Sequence, residues 1–109
     1  MIYALVTFHV LPSKIPEFES LHRALARFIS AQPGCISVRV HRSLKNPHQE
    51  YVVYGIWESK EVWERAHQTA EFKTQFQNLP IERHTLSSAS FFEVAYAYQG
   101  GEVASHVEI

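Results

Sequence analysis

The run Tyr51-Val-Val-Tyr-Gly-Ile-Trp57 passes without a breaker into Glu-Ser-Lys-Glu-Val-Trp63, and His67 and Glu71-Phe72-Lys73 follow. This junction constrains the fold more than any other stretch of the chain. An extended apolar run ends on an aromatic side chain, Ser59 stands where a helix N-cap is needed, and the helix it opens carries a second Trp and a His. A large apolar surface with one titratable group beside it is also what a pocket for an aromatic small molecule requires.

The segments around that junction set the order of elements. Residues 2–10 are β-branched and aromatic up to Pro12, which predicts a first strand with Ile2, Ala4, Val6, Phe8 and Val10 on one face. Tyr3, Leu5, Thr7 and His9 occupy the other. Ser13 is expected to cap a first helix, with Pro16 tolerated in its first turn because the missing N–H would be unpaired there anyway. Phe18, Leu21, Leu25, Phe28 and Ile29 then recur at helical spacing until Pro33-Gly34 ends the helix. A second strand from Cys35 to about Ser43 places Ile36, Val38 and Val40 opposite Ser37, Arg39 and His41.

Residues 44–50 read as a polar hairpin connection to the third strand, 51–57. The second helix starts near Lys60, turns Val62, Trp63, Ala66 and Ala70 inward, breaks, and resumes through Phe72, Phe76 and Leu79 until Pro80 stops it. After a loop over 81–88, residues 89–98 read as a last strand. The order is β-α-β-β-α-β, the split-βαβ ferredoxin-like arrangement of the α+β class with an antiparallel sheet. Helices cover only one face of such a sheet. Both faces of the first and last strands are apolar or aromatic, so a homodimer closing sheet against sheet is expected. Residues 1–98 form the domain, and 99–109 a C-terminal tail, either disordered or swapped into the partner.

Composition narrows the function classes. With 109 residues the chain is one domain. Ten basic residues against eleven acidic ones leave a net charge of −1, which offers no footprint for nucleic acid. Apolar runs fall far short of the roughly 20 residues that span a bilayer, so no membrane partner is expected. Residues 1–10 lack a basic leader, and a cytoplasmic protein is the plain expectation. Cys35 stands alone, which excludes an intramolecular disulfide. No nucleotide-binding glycine motif, nucleophile elbow or flavin signature is present, and no His-x-His or i,i+4 His pair offers a metal site. Neither cofactor nor metal is expected.

Taken in order, Val10-Leu-Pro-Ser-Lys14, Pro33-Gly-Cys-Ile-Ser-Val-Arg-Val-His-Arg-Ser43, Tyr54-Gly-Ile-Trp-Glu-Ser-Lys-Glu-Val-Trp63 and Thr69-Ala-Glu-Phe-Lys73 resemble the antibiotic biosynthesis monooxygenase family. The resemblance spans roughly residues 1–98. It implies a dimeric α/β barrel of ferredoxin-like protomers, each with a cavity between helices and sheet. Members of the family include cofactor-independent monooxygenases of aromatic phenols or quinols, haem-degrading proteins and enzymes of small signalling molecules.

Several residues are candidates for the chemistry. Trp57 matches the family's strand-end Trp, which lines the active cavity in some members; as a plain core residue it would wedge strand against helix. His67 lies one turn after Trp63 on the same helical face, and a His of near-neutral pKa can deprotonate a phenol or quinol before electron transfer to O₂. The competing role is a helix-boundary His. Trp63 and Phe72 suit ring packing or the core, as do Tyr54 and Phe8. Arg39 and His41, alternating along the second strand, can meet an anionic or phenolic oxygen or lie in an interface. His9, His22, His48, His84 and His106 show no ligand spacing, and Cys35 reads as a buried thiol.

Haem degradation is disfavoured by the residues themselves. That branch of the family places an Asn in the first strand and an iron-ligating His about nineteen positions after the strand-end Trp. Those positions here hold Val6 and Phe76. The leading expectation is therefore a cofactor-independent monooxygenase of an aromatic quinol or phenol. The alternatives are a non-catalytic dimeric module for an apolar molecule or partner, and an isomerase or degrading enzyme of a small metabolite.

Overall fold

A computed structural model describes residues 1–45 and 49–104. Its elements are β1 (Ile2–His9), α1 (Ile15–Ser30), β2 (Cys35–Arg42), β3 (Glu50–Trp57), α2 (Lys60–His67), α3 (Ala70–Gln77), β4 (Ser90–Phe92), and a small hairpin of β5 (Tyr98–Gln99) and β6 (Glu102–Val103). The first four strands form one antiparallel sheet in the order β2-β3-β1-β4, the ferredoxin-like α+β arrangement expected. Among the described residues no helix is long and apolar enough to cross a membrane. Positions 46–48 of the expected hairpin connection and 105–109 of the tail lie outside the described residues.

Strand parity divides the sheet into two chemically different faces. Ala4, Phe8, Val10, Tyr51 and Trp57 point toward the helices and are buried there with Phe18, Leu25, Ile29 and Ala66. Tyr3, Leu5, Thr7, Val52, Tyr54, Ile56, Ser37, Arg39 and His41 lie on the face without helices, as their cross-strand pairing requires.

Two local expectations are corrected. Ser13 does not cap α1: a 3₁₀ turn over Pro12–Lys14 precedes the helix, and Lys14 holds the cap position without a side-chain hydrogen bond. Pro16 does sit in the first turn. The last strand is much shorter than residues 89–98. It pairs with β1 only from Leu5↔Ser90 to Tyr3↔Phe92. Because β1 begins at Ile2, the residues after β4 run out of backbone to pair with, however strand-like their side chains. Among the described residues the chain pairs again only in the β5–β6 hairpin, whose turn uses Gly100 and Gly101 at φ 61° and 83°.

The predicted break in the second helical segment is a joint made by one side chain. Thr69 Oγ1 donates to the Ala66 carbonyl at 3.3 Å and accepts from the Phe72 amide at 3.1 Å. It closes α2 and caps α3 at once.

Candidate active site

Two glycines allow β3 to deliver Trp57 beneath α2. A Cβ on Gly55 would stand 2.7 Å from the Trp57 indole nitrogen, so only glycine leaves the ring its position. Gly34, at φ 86°, takes a left-handed turn that an L side chain would strain, and a Cβ there would meet Val62 at 2.5 Å. Its carbonyl accepts from the Glu58 amide at 2.8 Å, tying the end of β3 to the turn before β2. Ser59 Oγ then accepts from the Val62 amide at 3.3 Å and starts α2, as its sequence position predicts.

Trp63 and His67 follow on one face of α2. Their rings stack with centroids 4.2 Å apart and 25° between planes. Trp57 stands 5.6 Å away from the imidazole and Phe72 meets it edge-on at 4.7 Å, so three aromatic rings surround His67. Its Nδ1 lies 2.7 Å from the Trp63 carbonyl oxygen. A carbonyl only accepts, so Nδ1 carries the hydrogen and the lone pair is left on Nε2. Burial pushes the His67 pKa down, and the bond to the Trp63 carbonyl opposes this only in part. The ring is a neutral base at pH 7.

In front of His67 lies a cavity of about 90 Å³ between the sheet and helices α1 and α3, walled by Val6, Phe8, Val38, Val53, Leu25, Phe72 and Phe76. Phe8, Phe72 and His67 therefore meet at this cavity, while Trp57 and Trp63 form the layer behind His67. Tyr54, Arg39 and His41 are not brought there. Tyr54 is one residue out of phase with Val53 and Gly55, and its ring contacts Tyr3 at 5.9 Å and His41 at 6.3 Å across the helix-free face.

One cavity residue reads in the sequence only as a His without ligand spacing. His22 lines the same wall and is only 6% exposed. It stacks on Phe18 at 5.1 Å and meets Phe8 edge-on at 5.5 Å. Burial lowers its pKa to about 4, which keeps it neutral. The signal was present: Phe18, His22, Leu25 and Ile29 follow one another at spacings of four, three and four, the buried stripe of α1.

Past His22 a polar cleft of about 170 Å³ opens, lined by Glu19, Arg23, Ala26, Val40, Arg42 and Tyr51. The Tyr51 hydroxyl donates to Glu19 Oε2 at 2.5 Å, and Arg42 donates to the same oxygen through Nε at 3.0 Å and a terminal nitrogen at 2.7 Å. The Tyr51 bond, helped by Arg42, holds the Glu19 carboxyl below its ordinary range against the opposing effect of burial.

The positions at which haem-degrading relatives would carry Asn and His, Val6 and Phe76, are hydrocarbon walls of the cavity. These residues do not fit haem. Among the described residues no group of three or more His, Cys, Asp or Glu side chains is placed to hold a metal ion.

The fold recurs among solved structures at low identity. SnoaB, a cofactor-independent oxygenase from Streptomyces nogalater, is 22% identical with a TM-score of 0.69, over 85% of this chain and 91% of that one. A conserved protein from Methanosarcina mazei Go1 is 21% identical with a TM-score of 0.74, over 84% and 89%. A structure described as an antibiotic biosynthesis monooxygenase gives a TM-score of 0.77 at 16% identity, over 87% and 99%. No curated protein matches the sequence. The sequence model of the antibiotic biosynthesis monooxygenase family matches residues 1–78, most of the chain and every element whose side chains line the cavity. The chain belongs to the antibiotic biosynthesis monooxygenase family.

Proposed function

We propose that the protein is a cofactor-independent monooxygenase of a quinol or phenol, with His67 as the base. The observation that carries this reading is the state of His67: a neutral imidazole, enclosed by three aromatic rings, with its hydrogen committed to the Trp63 carbonyl and its other nitrogen free. Such a group takes a proton from a phenolic hydroxyl without first having to lose one to solvent. The phenolate then passes an electron to O₂, the radical pair joins at a ring carbon, and loss of water from the hydroperoxide leaves a quinone. One oxygen atom enters the product and the other leaves as water, so no external reductant is needed. The protein's share is binding, deprotonation and exclusion of bulk water. Phe8, Phe72 and Phe76 would face the ring, with Trp57 and Trp63 fixing the imidazole from behind.

The test is oxygen uptake by metal-free protein with reduced naphthoquinols and polyphenols. Uptake above autoxidation that disappears in His67→Ala supports the reading. Uptake equal to autoxidation, with ligand binding retained, would instead make the protein a dimeric binding module.

The assembly in this reading is a sheet-against-sheet homodimer. Support comes from the helix-free face, where among the described residues the buried Tyr3 hydroxyl, Ser37 hydroxyl and His9 Nδ1 have no hydrogen-bond partner. Phe92, Val94 and Tyr96 stand exposed beside them. A second copy would cover this face, placing Tyr54, Arg39 and His41 at the interface and giving the segment from residue 99 onward a partner to lie against.

A further inference from the structure

We infer that the substrate carries an anionic group, a carboxylate or a group of like charge, which docks in the polar cleft at Arg42 and Arg23 while its aromatic body reaches from there into the cavity beside His67. The inference rests on the reading of that cavity as an aromatic site and specifies the class of molecule it takes.

Size is the first ground. The apolar cavity measures about 90 Å³, against the roughly 150 Å³ that accommodates benzene. An aromatic substrate therefore extends beyond it. Among the described residues, the wall it shares with the polar cleft of about 170 Å³ is formed by His22 and Ala26, a neutral ring and a methyl group. A ligand that outgrows the inner space in this direction enters the cleft.

Charge is the second ground. Glu19 is the one acid lining the cleft, against two guanidinium groups, so the lining carries a net positive charge. The Glu19 oxygen nearest Arg42 already accepts from Tyr51 and from two Arg42 nitrogens. That cluster orients the Arg42 fork without consuming it: a guanidinium has five N–H donors in a plane, and only two nitrogens face Glu19. Arg23 reaches the other Glu19 oxygen only at 3.5 Å and is mostly exposed, leaving it free to swing onto a ligand. A planar fork beside a mobile cation is a natural receptor for a carboxylate.

Isosteric probes separate this inference from the reading beneath it. The fluorescence of Trp57 and Trp63 reports occupancy of the cavity, and the ligands are 2-naphthoate and the neutral naphthalene-2-carboxamide. In the wild-type protein the naphthoate should bind roughly tenfold more tightly, as one charge-assisted bond implies, and the preference should shrink with added salt. Arg42→Gln together with Arg23→Gln should abolish the preference while leaving carboxamide binding in place. Arg42→Lys alone should keep part of it. Equal binding of the two ligands to the wild type, or a preference that survives in the double variant, would overturn the anionic subsite and spare the aromatic cavity. Binding of neither ligand would overturn both.

Discussion

His67 and Trp63 are joined twice over. Their rings stack at 4.2 Å while the His67 Nδ1 meets the Trp63 carbonyl at 2.7 Å, one turn back along α2. The stack fixes the plane of the imidazole and the hydrogen bond fixes its tautomer, so the position of the Nε2 lone pair follows from helix geometry.

Replacing His67 by Ala should therefore remove turnover, by about 10²–10⁴-fold if proton abstraction is its role. Circular dichroism should stay unchanged, since the residue is only half-buried. The acid limb of the rate profile should lie below pH 6.5, because burial lowers the His67 pKa and the neutral form is the active one. A limb above pH 7 would assign the base elsewhere.

His22 makes stability fall on the acid side. Its pKa drops from 6.5 to about 4 in the folded state. The unfolded chain thus binds a proton first as pH falls, and the contribution of neutral His22, complete above pH 6.5, is lost progressively down to about pH 4. At about 1.4 kcal/mol per unit this amounts to about 3 kcal/mol. Denaturant midpoints between pH 7 and pH 4 should decline less steeply in His22→Leu than in the wild type.

Gly55→Ala should cost about 1–3 kcal/mol, because the new methyl would stand 2.7 Å from the Trp57 nitrogen and force the indole to move. Combined with Trp57→Leu, most of that penalty should vanish. Additive losses in a double-mutant cycle would mean that the two residues do not press on each other.

Thr69→Ala should cost about 1 kcal/mol, as loss of an N-cap does, and should also loosen the joint between α2 and α3. Faster amide exchange confined to the start of α3 is the expected signature. Uniform exchange across both helices would count against a local cap.

Tyr54→Glu should yield monomers in size-exclusion chromatography, since the proposed interface would then bury an acid. Tyr54→Phe should leave turnover per protomer unaltered. A large loss in the Phe variant would place Tyr54 within the chemistry despite its position across the sheet.

Much of this was legible in the chain. Ser59, the break before Phe72 and the Pro-Gly turn at residues 33–34 act within a few residues of themselves, and local chemistry was enough to read them. Phe8, His67 and Phe72 line one cavity; helical and strand periods decide which face of its element each occupies. Tyr54, grouped with them, belongs to the other face because adjacent residues in a strand point oppositely. The full strand expected over 89–98 is cut short by the length of β1, a fact held eighty residues away in the sequence. His22 reads in the sequence only as a His without ligand spacing, since a single polar residue in an apolar stripe interrupts the pattern used to find the stripe.

The alternation in β3 has a genetic corollary. Tyr51, Val53, Gly55 and Trp57 face the helices, while Val52, Tyr54 and Ile56 face away. Substitutions can tune either surface independently of the other. A single-codon insertion or deletion within this strand would exchange the two sets, emptying the cavity and filling the opposite surface in one event. Lineages descended from this sequence should therefore vary less in the length of 51–57 than in residue type at its less constrained positions, with Gly55 and Trp57 retained.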